Sequence, residues 1–263
     1  MVSREGKTFR VVTFLLASFK RALPIVFVTR KISQASRWLS ARAHQLQFLI
    51  EWGADNPEYF DHHMDVHYQW AKTGNSLPME RGVHSSFALA GNGRTLDLAC
   101  GDGFFTNYFY SLKSKEVIGI DFDKSAISLA KSNRILSNTS FILGDIRTSI
   151  PDGPFDNIVW DAAIEHFTES EILGIMERIS SVLSGDGILS GYTVTEAEDG
   201  GKHLHQHEYE FHDKSDLARF LSPYFKKVHV YETVFPNRTN LYFYATNGLL
   251  PNERETHLFA IKP

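Results

Sequence analysis

The chain has 263 residues, enough for one α/β domain with a full core and some length to spare. A single cysteine, Cys100, excludes an internal disulfide, a zinc ribbon and an iron–sulfur centre. The net charge of −4 is uneven: residues 1–56 carry nine Lys and Arg against three acids, and the remainder carries 18 against 28. An acidic body argues against nucleic-acid binding, which depends on neutralising phosphates.

Residues 1–31 form a basic leader with two apolar runs, at 11–19 and 22–28. Neither run approaches the roughly 20 residues needed to cross a bilayer, and no secretory cleavage signal follows. We therefore expect a cytoplasmic protein whose basic N-terminus can make peripheral contact with an anionic membrane surface.

Residues 32–90 are predicted to form an N-terminal helical lid. Apolar residues recur at helical spacing over 32–52, and a histidine- and aromatic-rich helix is predicted over 56–70. A short helix around residues 81–89 ends at the Gly-Asn-Gly turn that follows Ala90.

Strands and helices alternate from residue 94, which predicts one domain over residues 91–263. Crossovers of helical length between apolar strands indicate an α/β fold, a doubly wound parallel sheet with helices on both faces. The last two strands are joined by only four residues, so they form an antiparallel pair. The predicted strands are 94–99, 116–121, 139–144, 156–161, 187–194, 226–235 and 240–246, with an edge strand over 255–262, and the predicted helices are 104–113, 124–136, 169–183 and 213–222.

A glycine-rich turn follows the first strand of this domain. Gly101 and Gly103 let the backbone approach a ligand, and Asp121 ends the next strand twenty residues after Gly101. An acid at that position can hold the hydroxyls of a ribose. The arrangement predicts a nucleoside site.

The residues around the turn discriminate between nucleosides. A nicotinamide dinucleotide would place a pyrophosphate against Asp97 and Asp102, which repel it, and would favour Gly or Ala where Thr106 stands. An acid inside the first strand suits a ligand with a positive group. Asp145 ends the third strand, where it can accept a hydrogen bond from an adenine amino group, with Ile146 beside the ring.

Six stretches in order resemble the class I S-adenosylmethionine-dependent methyltransferases, over about residues 94–247. The resemblance implies a Rossmann-like, doubly wound, seven-stranded, mostly parallel sheet with an antiparallel last strand, plus an N-terminal helical extension. The six stretches are residues 96–103, 118–121, 144–146, 155–161, 165–167 and 182–189.

By this resemblance the cofactor is S-adenosylmethionine. Asp97, Gly101 and Gly103 would line its methionine part, Asp121 its ribose, and Asp145 with Ile146 its adenine. Further expected cofactor contacts are Ala99, which stands where the family most often has glycine, Phe122, Asp161, Arg81 as partner of the cofactor carboxylate, and Tyr68 of the lid.

The residues at the end of the fourth strand indicate which kind of molecule accepts the methyl group. They lack the Asn/Asp-Pro-Pro-Tyr/Phe turn and the Pro-Cys pair of nucleobase methyltransferases, which favours a small molecule with a hydroxyl oxygen over a nitrogen or carbon acceptor. His166 follows this strand and is the candidate base, because a hydroxyl must lose its proton.

Histidines elsewhere raise the question of a metal. His203, His205 and His207 alternate, which on a strand places them on one face at ligand spacing. His63 and His67 share a helix face. We expect no metal, and we expect Trp70, His205 and His207 to face the substrate instead.

Two other functions stay open at this point. One is a non-catalytic S-adenosylmethionine-binding partner subunit, which the intact set of acids and glycines disfavours. The other is a nicotinamide-dependent oxidoreductase, which Asp97 and Thr106 disfavour. The sequence identifies neither the acceptor nor the oligomeric state.

Overall fold

The computed structural model describes residues 23–52, 76–196, 202–203, 205–235 and 238–254. The chain divides into two compact units, Met1–Gly74 and Asn75–Pro263. The predicted helix over 56–70, with Tyr68 and Trp70, and the predicted edge strand over 255–262 lie outside the described residues.

One long helix, α1 (Leu23–Trp52), is the described part of the first unit. It begins earlier than the predicted residue 32, and Pro24 in its first turn is typical of a helix start. Many of its large apolar side chains are exposed, among them Phe27, Trp38 and Ile50. None of the described helices has the length and apolar character that crossing a bilayer requires. Membrane contact by the leader stays a prediction.

A seven-stranded sheet forms the centre of the second unit, in the order β3-β2-β1-β4-β5-β7-β6. Strands β1 to β5 pair in parallel, and β7 runs antiparallel to both β5 and β6. This arrangement confirms the predicted fold class. The strands are β1 (Arg94–Leu98), β2 (Glu116–Asp121), β3 (Thr139–Leu143), β4 (Phe155–Asp161), β5 (Leu183–Val194), β6 (Lys227–Phe235) and β7 (Arg238–Thr246).

Five α-helices accompany this sheet among the described residues of the second unit: α2 (Leu77–Ala88), α3 (Phe104–Tyr108), α4 (Lys124–Ser132), α5 (Glu169–Val182) and α6 (Lys214–Leu221). Three short 3₁₀ turns lie at Tyr110–Leu112, Ile164–His166 and Pro251–Glu253. The predicted helix over 104–113 is therefore an α-helix that continues as a 3₁₀ turn.

Local sequence explains where α4 and α5 begin. Thr168 and Glu171 form a capping box at the start of α5, and the buried side chains of that helix recur at three- and four-residue spacing. Asp123 caps α4 by accepting hydrogen bonds from the backbone of Ser125 and Ala126. Because Asp123 caps α4, the carboxylate of Asp121 can accept a hydrogen bond from the glycine turn instead.

Helix α2 belongs to the second unit, whereas the sequence predicts the lid to extend to residue 90. Its last residue, Ala88, is buried with Ile188 of β5 and Tyr244 of β7, and Phe87 packs against them. Burial of this apolar end fixes α2 on the sheet, so the described boundary between the units falls after Gly74.

Candidate functional site

The turn after β1 is built on three residues with left-handed backbone: Ala99 (φ 54°), Gly101 (φ 54°) and Gly103 (φ 74°). A Cβ on Gly103 would lie 2.9 Å from both Ala130 and Phe141, so glycine is required there on two grounds. Glycine adopts the left-handed φ of Ala99 more readily than alanine does, which agrees with the glycine that the resemblance leads one to expect there.

Asp121 ties this turn to the end of β2. One carboxylate oxygen accepts the backbone N–H of Gly101 at 2.9 Å, and the other accepts that of Asp123 at 2.8 Å. Burial raises the pKa of the Asp121 carboxyl. A carboxylate has about four lone-pair sites, so Asp121 can still accept hydrogen bonds from a ribose. Phe122, the next residue, is 62% exposed beside it.

Asp97 lies on β1 directly before the turn and is 3% exposed. The hydroxyl of Thr106 donates a hydrogen bond to the Asp97 carboxylate at 2.5 Å. In the sequence, Thr106 stands out only because a dinucleotide motif would have Gly or Ala there; in the structure it orients Asp97. Burial raises the pKa of Asp97 from 3.8 to about 7, and Asp161 and Asp121 act in the same direction, while the Thr106 hydroxyl and Arg81 oppose them.

Arg81 of α2 and Asp161 at the end of β4 form a buried ion pair. The Nε and Nη2 atoms of Arg81 lie 2.9 and 2.8 Å from the same Asp161 oxygen, and the side chains are 8% and 5% exposed. The guanidinium also lies over the rings of Phe105 and Tyr192, at 4.8 and 5.0 Å. The structure thus brings two predicted cofactor contacts together, eighty positions apart in the chain.

Three buried carboxylates therefore surround the ends of β1, β2 and β4, with one guanidinium among them: Asp97, Asp121, Asp161 and Arg81. The excess of negative charge suits a ligand that carries ammonium or sulfonium groups and a vicinal diol. The same charge opposes a pyrophosphate. These residues fit S-adenosylmethionine by the chemistry of their donor set.

Asp145, predicted to contact adenine, follows β3 and is held by Arg147. The Nε of Arg147 lies 3.0 Å from each Asp145 oxygen, and its Nη1 lies 2.8 Å from Glu171. Hydrogen bonds from Arg147 lower the pKa of Asp145. Ile146 is 5% exposed in the main core. No motif in the sequence singles out Arg147, because its two acids come from different elements.

A second group of polar residues lies at the ends of β4 and β5. The 3₁₀ turn Ile164–His166 places Glu165 in the interior, where the hydroxyl of Thr193 on β5 donates to its carboxylate at 3.0 Å. The backbone oxygen of Glu165 accepts the N–H groups of Glu208 and Tyr209, at 2.8 and 3.1 Å. These bonds fix the segment that carries His207 against Glu165.

His166, the predicted base, faces His207 across this group. Their ring centroids are 4.9 Å apart and the rings are nearly perpendicular, at 77°. The Nδ1 of His166 donates to the backbone oxygen of Gln206 at 3.4 Å. The Nδ1 of His207 is hydrogen-bonded to a carboxylate oxygen of Glu210, and the Nδ1 of His203 lies 3.2 Å from the other.

The described histidines of this segment lie in bends and turns and not on a strand, so they do not share one strand face. The described residues of this segment form bends and turns, because their backbone groups bond to Glu165 and to the Glu210 carboxylate instead of to a neighbouring strand. As a result His207 is 3% exposed, whereas His205 is exposed. Glu165 and Glu210 were not among the predicted site residues.

A cavity of about 590 Å³ lies elsewhere, between α2 and strands β6 and β7. His84 stacks on Tyr244 in its wall at 4.1 Å, and burial lowers the pKa of His84 to about 4. None of the predicted site residues within the described part of the chain lines this cavity.

Comparison with known proteins gives both family and fold matches. A family profile described as a methyltransferase domain matches residues 89–232. A malonyl-[acyl-carrier protein] O-methyltransferase of Bacillus cytotoxicus is 30% identical over 97 residues, which are 36% of this chain and 33% of that protein. The chain spans about a third of the length of the curated relatives it matches.

Solved structures share the fold. The N-methyltransferase NodS from Bradyrhizobium japonicum superimposes with a TM-score of 0.54 at 17% identity, covering 66% of this chain and 99% of NodS. The DhpI–SAH complex superimposes with a TM-score of 0.52 at 21% identity, covering 79% of this chain and 93% of DhpI.

Proposed function

Because this chain belongs to the methyltransferase domain family, we propose that it transfers a methyl group from S-adenosylmethionine to a hydroxyl oxygen of a small molecule. The cofactor supplies a methyl group on a positively charged sulfur, which is a good leaving group. The protein therefore has to hold the cofactor, align the acceptor and exclude water.

The single observation that carries the cofactor assignment is the buried Asp97 beside the left-handed turn. The Asp97 carboxylate at the end of β1 is 3% exposed. Burying a charge is costly unless a partner neutralises it, so a positively charged ligand group is the natural partner. We propose that Asp97 accepts hydrogen bonds from the ammonium group of the methionine part. Asp121 then holds the ribose, and the exposed ring of Phe122 flanks the adenine.

The group at the ends of β4 and β5 supports a hydroxyl as the acceptor. An amine can arrive neutral, but a hydroxyl must lose its proton, and Glu165, His166 and His207 offer proton-handling side chains where β4 ends. The relative from Bacillus cytotoxicus is named for oxygen methylation, which agrees with oxygen as the acceptor atom. We assign activation of the acceptor to this group. Within it, His166 is the base predicted from the sequence and would remove the hydroxyl proton.

Calorimetry with S-adenosylhomocysteine and NAD tests the cofactor assignment. We expect S-adenosylhomocysteine to bind with a dissociation constant in the micromolar range and NAD to show no heat above dilution. Binding of NAD alone would favour an oxidoreductase. Binding of S-adenosylhomocysteine without turnover across a broad screen of hydroxyl, amine and carbon acceptors would favour a non-catalytic partner subunit.

Replacing His166 by alanine is expected to leave S-adenosylhomocysteine affinity within about twofold and to lower turnover by about 100-fold, the usual contribution of acid–base groups. The reason is that the contacts of His166 with Gln206 and His207 belong to the second group. Turnover is measured with an acceptor found in the screen. Unchanged turnover would remove His166 from the mechanism.

A further inference from the structure

Three side chains of the second group converge with metal-ligating atoms. One ligand atom from each of Glu165, His166 and His207 lies within 4.8 Å of the other two. A cation bonded at about 2.1 Å to each would draw them to about 3.4 Å from one another. That contraction is within the range of side-chain rotation at the half-buried His166.

Both histidines are oriented as metal ligands usually are. The Nδ1 of His166 donates to the backbone oxygen of Gln206, and the Nδ1 of His207 bonds to the carboxylate of Glu210. Such bonds fix the tautomer in which Nε2 carries the lone pair, and a carboxylate behind the ring raises its basicity. The Thr193 hydroxyl orients Glu165 in the same manner.

The charge of the group also favours a cation. Glu165 and Glu210 are 3% and 8% exposed, yet among the described residues no Lys or Arg forms an ion pair with either carboxylate. Buried acids without a Lys or Arg partner are costly, and a divalent ion held beside them would offset their charge.

We propose that Glu165, His166 and His207 bind a divalent first-row transition metal ion, with Glu210 as the partner that orients His207. Two imidazoles and one carboxylate are the ligand set of open catalytic sites for Zn²⁺ and its neighbours, and they are a poor set for Mg²⁺, which prefers oxygen. This site revises the expectation that the protein uses no metal.

The role of the ion toward the acceptor rests on the proposed function. Asp161 of the cofactor site ends β4, and Glu165 and His166 follow within five residues, so the ion would lie at the same edge of the sheet. It would hold the acceptor hydroxyl and lower its pKa, so that the proton passes to water. The oxygen then bonds to the methyl carbon as the carbon–sulfur bond breaks, and the electron pair stays on sulfur. With the ion bound, His166 would be one of its ligands, and this role would replace the role of base that the proposed function gives it.

Calorimetric titration of the EDTA-treated full chain with ZnCl₂ tests the site. We expect one Zn²⁺ per chain at a dissociation constant of about 1 µM or below, with no comparable binding of Mg²⁺. His207→Ala is expected to weaken Zn²⁺ binding by at least about 100-fold and Glu210→Gln by about 10- to 100-fold. His205→Ala is the matched control, because its side chain is exposed on the same segment and outside the group, and its Zn²⁺ affinity should equal that of the wild type.

Affinity for S-adenosylhomocysteine, measured on the same variants, shows that they are folded and reports on the proposed function separately. Wild-type Zn²⁺ affinity in His207→Ala, or equal losses in His205→Ala and His207→Ala, would overturn the metal site. Full turnover of the EDTA-treated protein would overturn the ion's role while leaving methyl transfer intact. Loss of turnover on stripping and its recovery with Zn²⁺ would support both.

Discussion

Asp97→Asn is expected to lower the affinity for S-adenosylhomocysteine by about 10- to 150-fold. A charged hydrogen bond in a buried site contributes about 1.5–3 kcal/mol, and asparagine keeps the shape but lacks the charge. Calorimetry at pH 7.5 measures the loss. Asp102→Asn is the matched control, because an asparagine oxygen can still accept the backbone N–H of Phe104, and its affinity should stay within about threefold of the wild type.

The raised pKa of Asp97 gives the binding a pH dependence. A cation binds the ionised carboxylate, so with a pKa of about 7 the affinity should rise by up to about tenfold per pH unit between pH 5 and 7 and then level off. Asp97→Asn should lack this rise. An affinity independent of pH in the wild type would contradict the assignment of Asp97 to the ammonium group.

The raised pKa of Asp97 also predicts that the stability of the fold, unlike the ligand affinity, falls as the pH rises. Between pH 3.8 and about 7 the folded state binds a proton at Asp97 that the unfolded state does not, so this contribution to stability is present below pH 3.8 and is lost as pH rises through 7. Asparagine carries no charge to bury. Asp97→Asn should therefore melt higher than the wild type at pH 8.5, by about 2–4 °C for each kcal/mol recovered, and by a smaller margin at pH 5, where less of the penalty is present. Equal melting temperatures at both pH values would show that the carboxylate is not buried as a charge.

Arg81→Met is expected to destabilise the protein by about 3–5 kcal/mol. The change leaves the Asp161 carboxylate, 5% exposed, without the guanidinium that now lies 2.8 Å away. Urea unfolding followed by circular dichroism measures the free energy of unfolding. The double variant Arg81→Met/Asp161→Asn should recover much of the loss, because it removes the buried charge as well.

Arg94→Met provides the matched control for Arg81. Arg94 pairs with Glu116 at 2.7 Å, but these side chains are 36% and 45% exposed. Water screens such a pair, and its loss should cost no more than about 1 kcal/mol. Similar losses in the two arginine variants, or no recovery in the double variant, would show that burial of the Arg81–Asp161 pair is not the cause.

Short-range sequence pattern predicted most of the fold and the part of the candidate site that lies at the ends of β1 and β2. The alternation of apolar strands and helices from residue 94 and the short link between the last two strands act over a few positions, and the structure confirms the sheet that they predict. The glycine turn and the two acids Asp97 and Asp121 are likewise specified within 25 residues, because they belong to consecutive strands of one parallel sheet.

The rest depended on contacts between distant segments. Arg81 meets Asp161 across eighty positions, and Arg147 joins Asp145 to Glu171. Nothing in the local sequence encodes such pairs, because any exposed acid within reach would serve an arginine equally well. Spacing likewise suggested His203, His205 and His207 as one set, whereas the structure separates buried His207 from exposed His205.

By itself, then, the sequence determined a seven-stranded methyltransferase fold and the acids that we propose to hold its cofactor, because strands and glycine turns follow from short-range sequence pattern. Only the tertiary structure decided which histidine stands beside Glu165 and His166. That choice depends on how the chain returns after β5, where the backbone of Glu165 captures Glu208 and Tyr209 and turns His207 inward. Short-range hydrophobic pattern cannot predict this path of the chain, because the path is set by hydrogen bonds between segments more than forty residues apart.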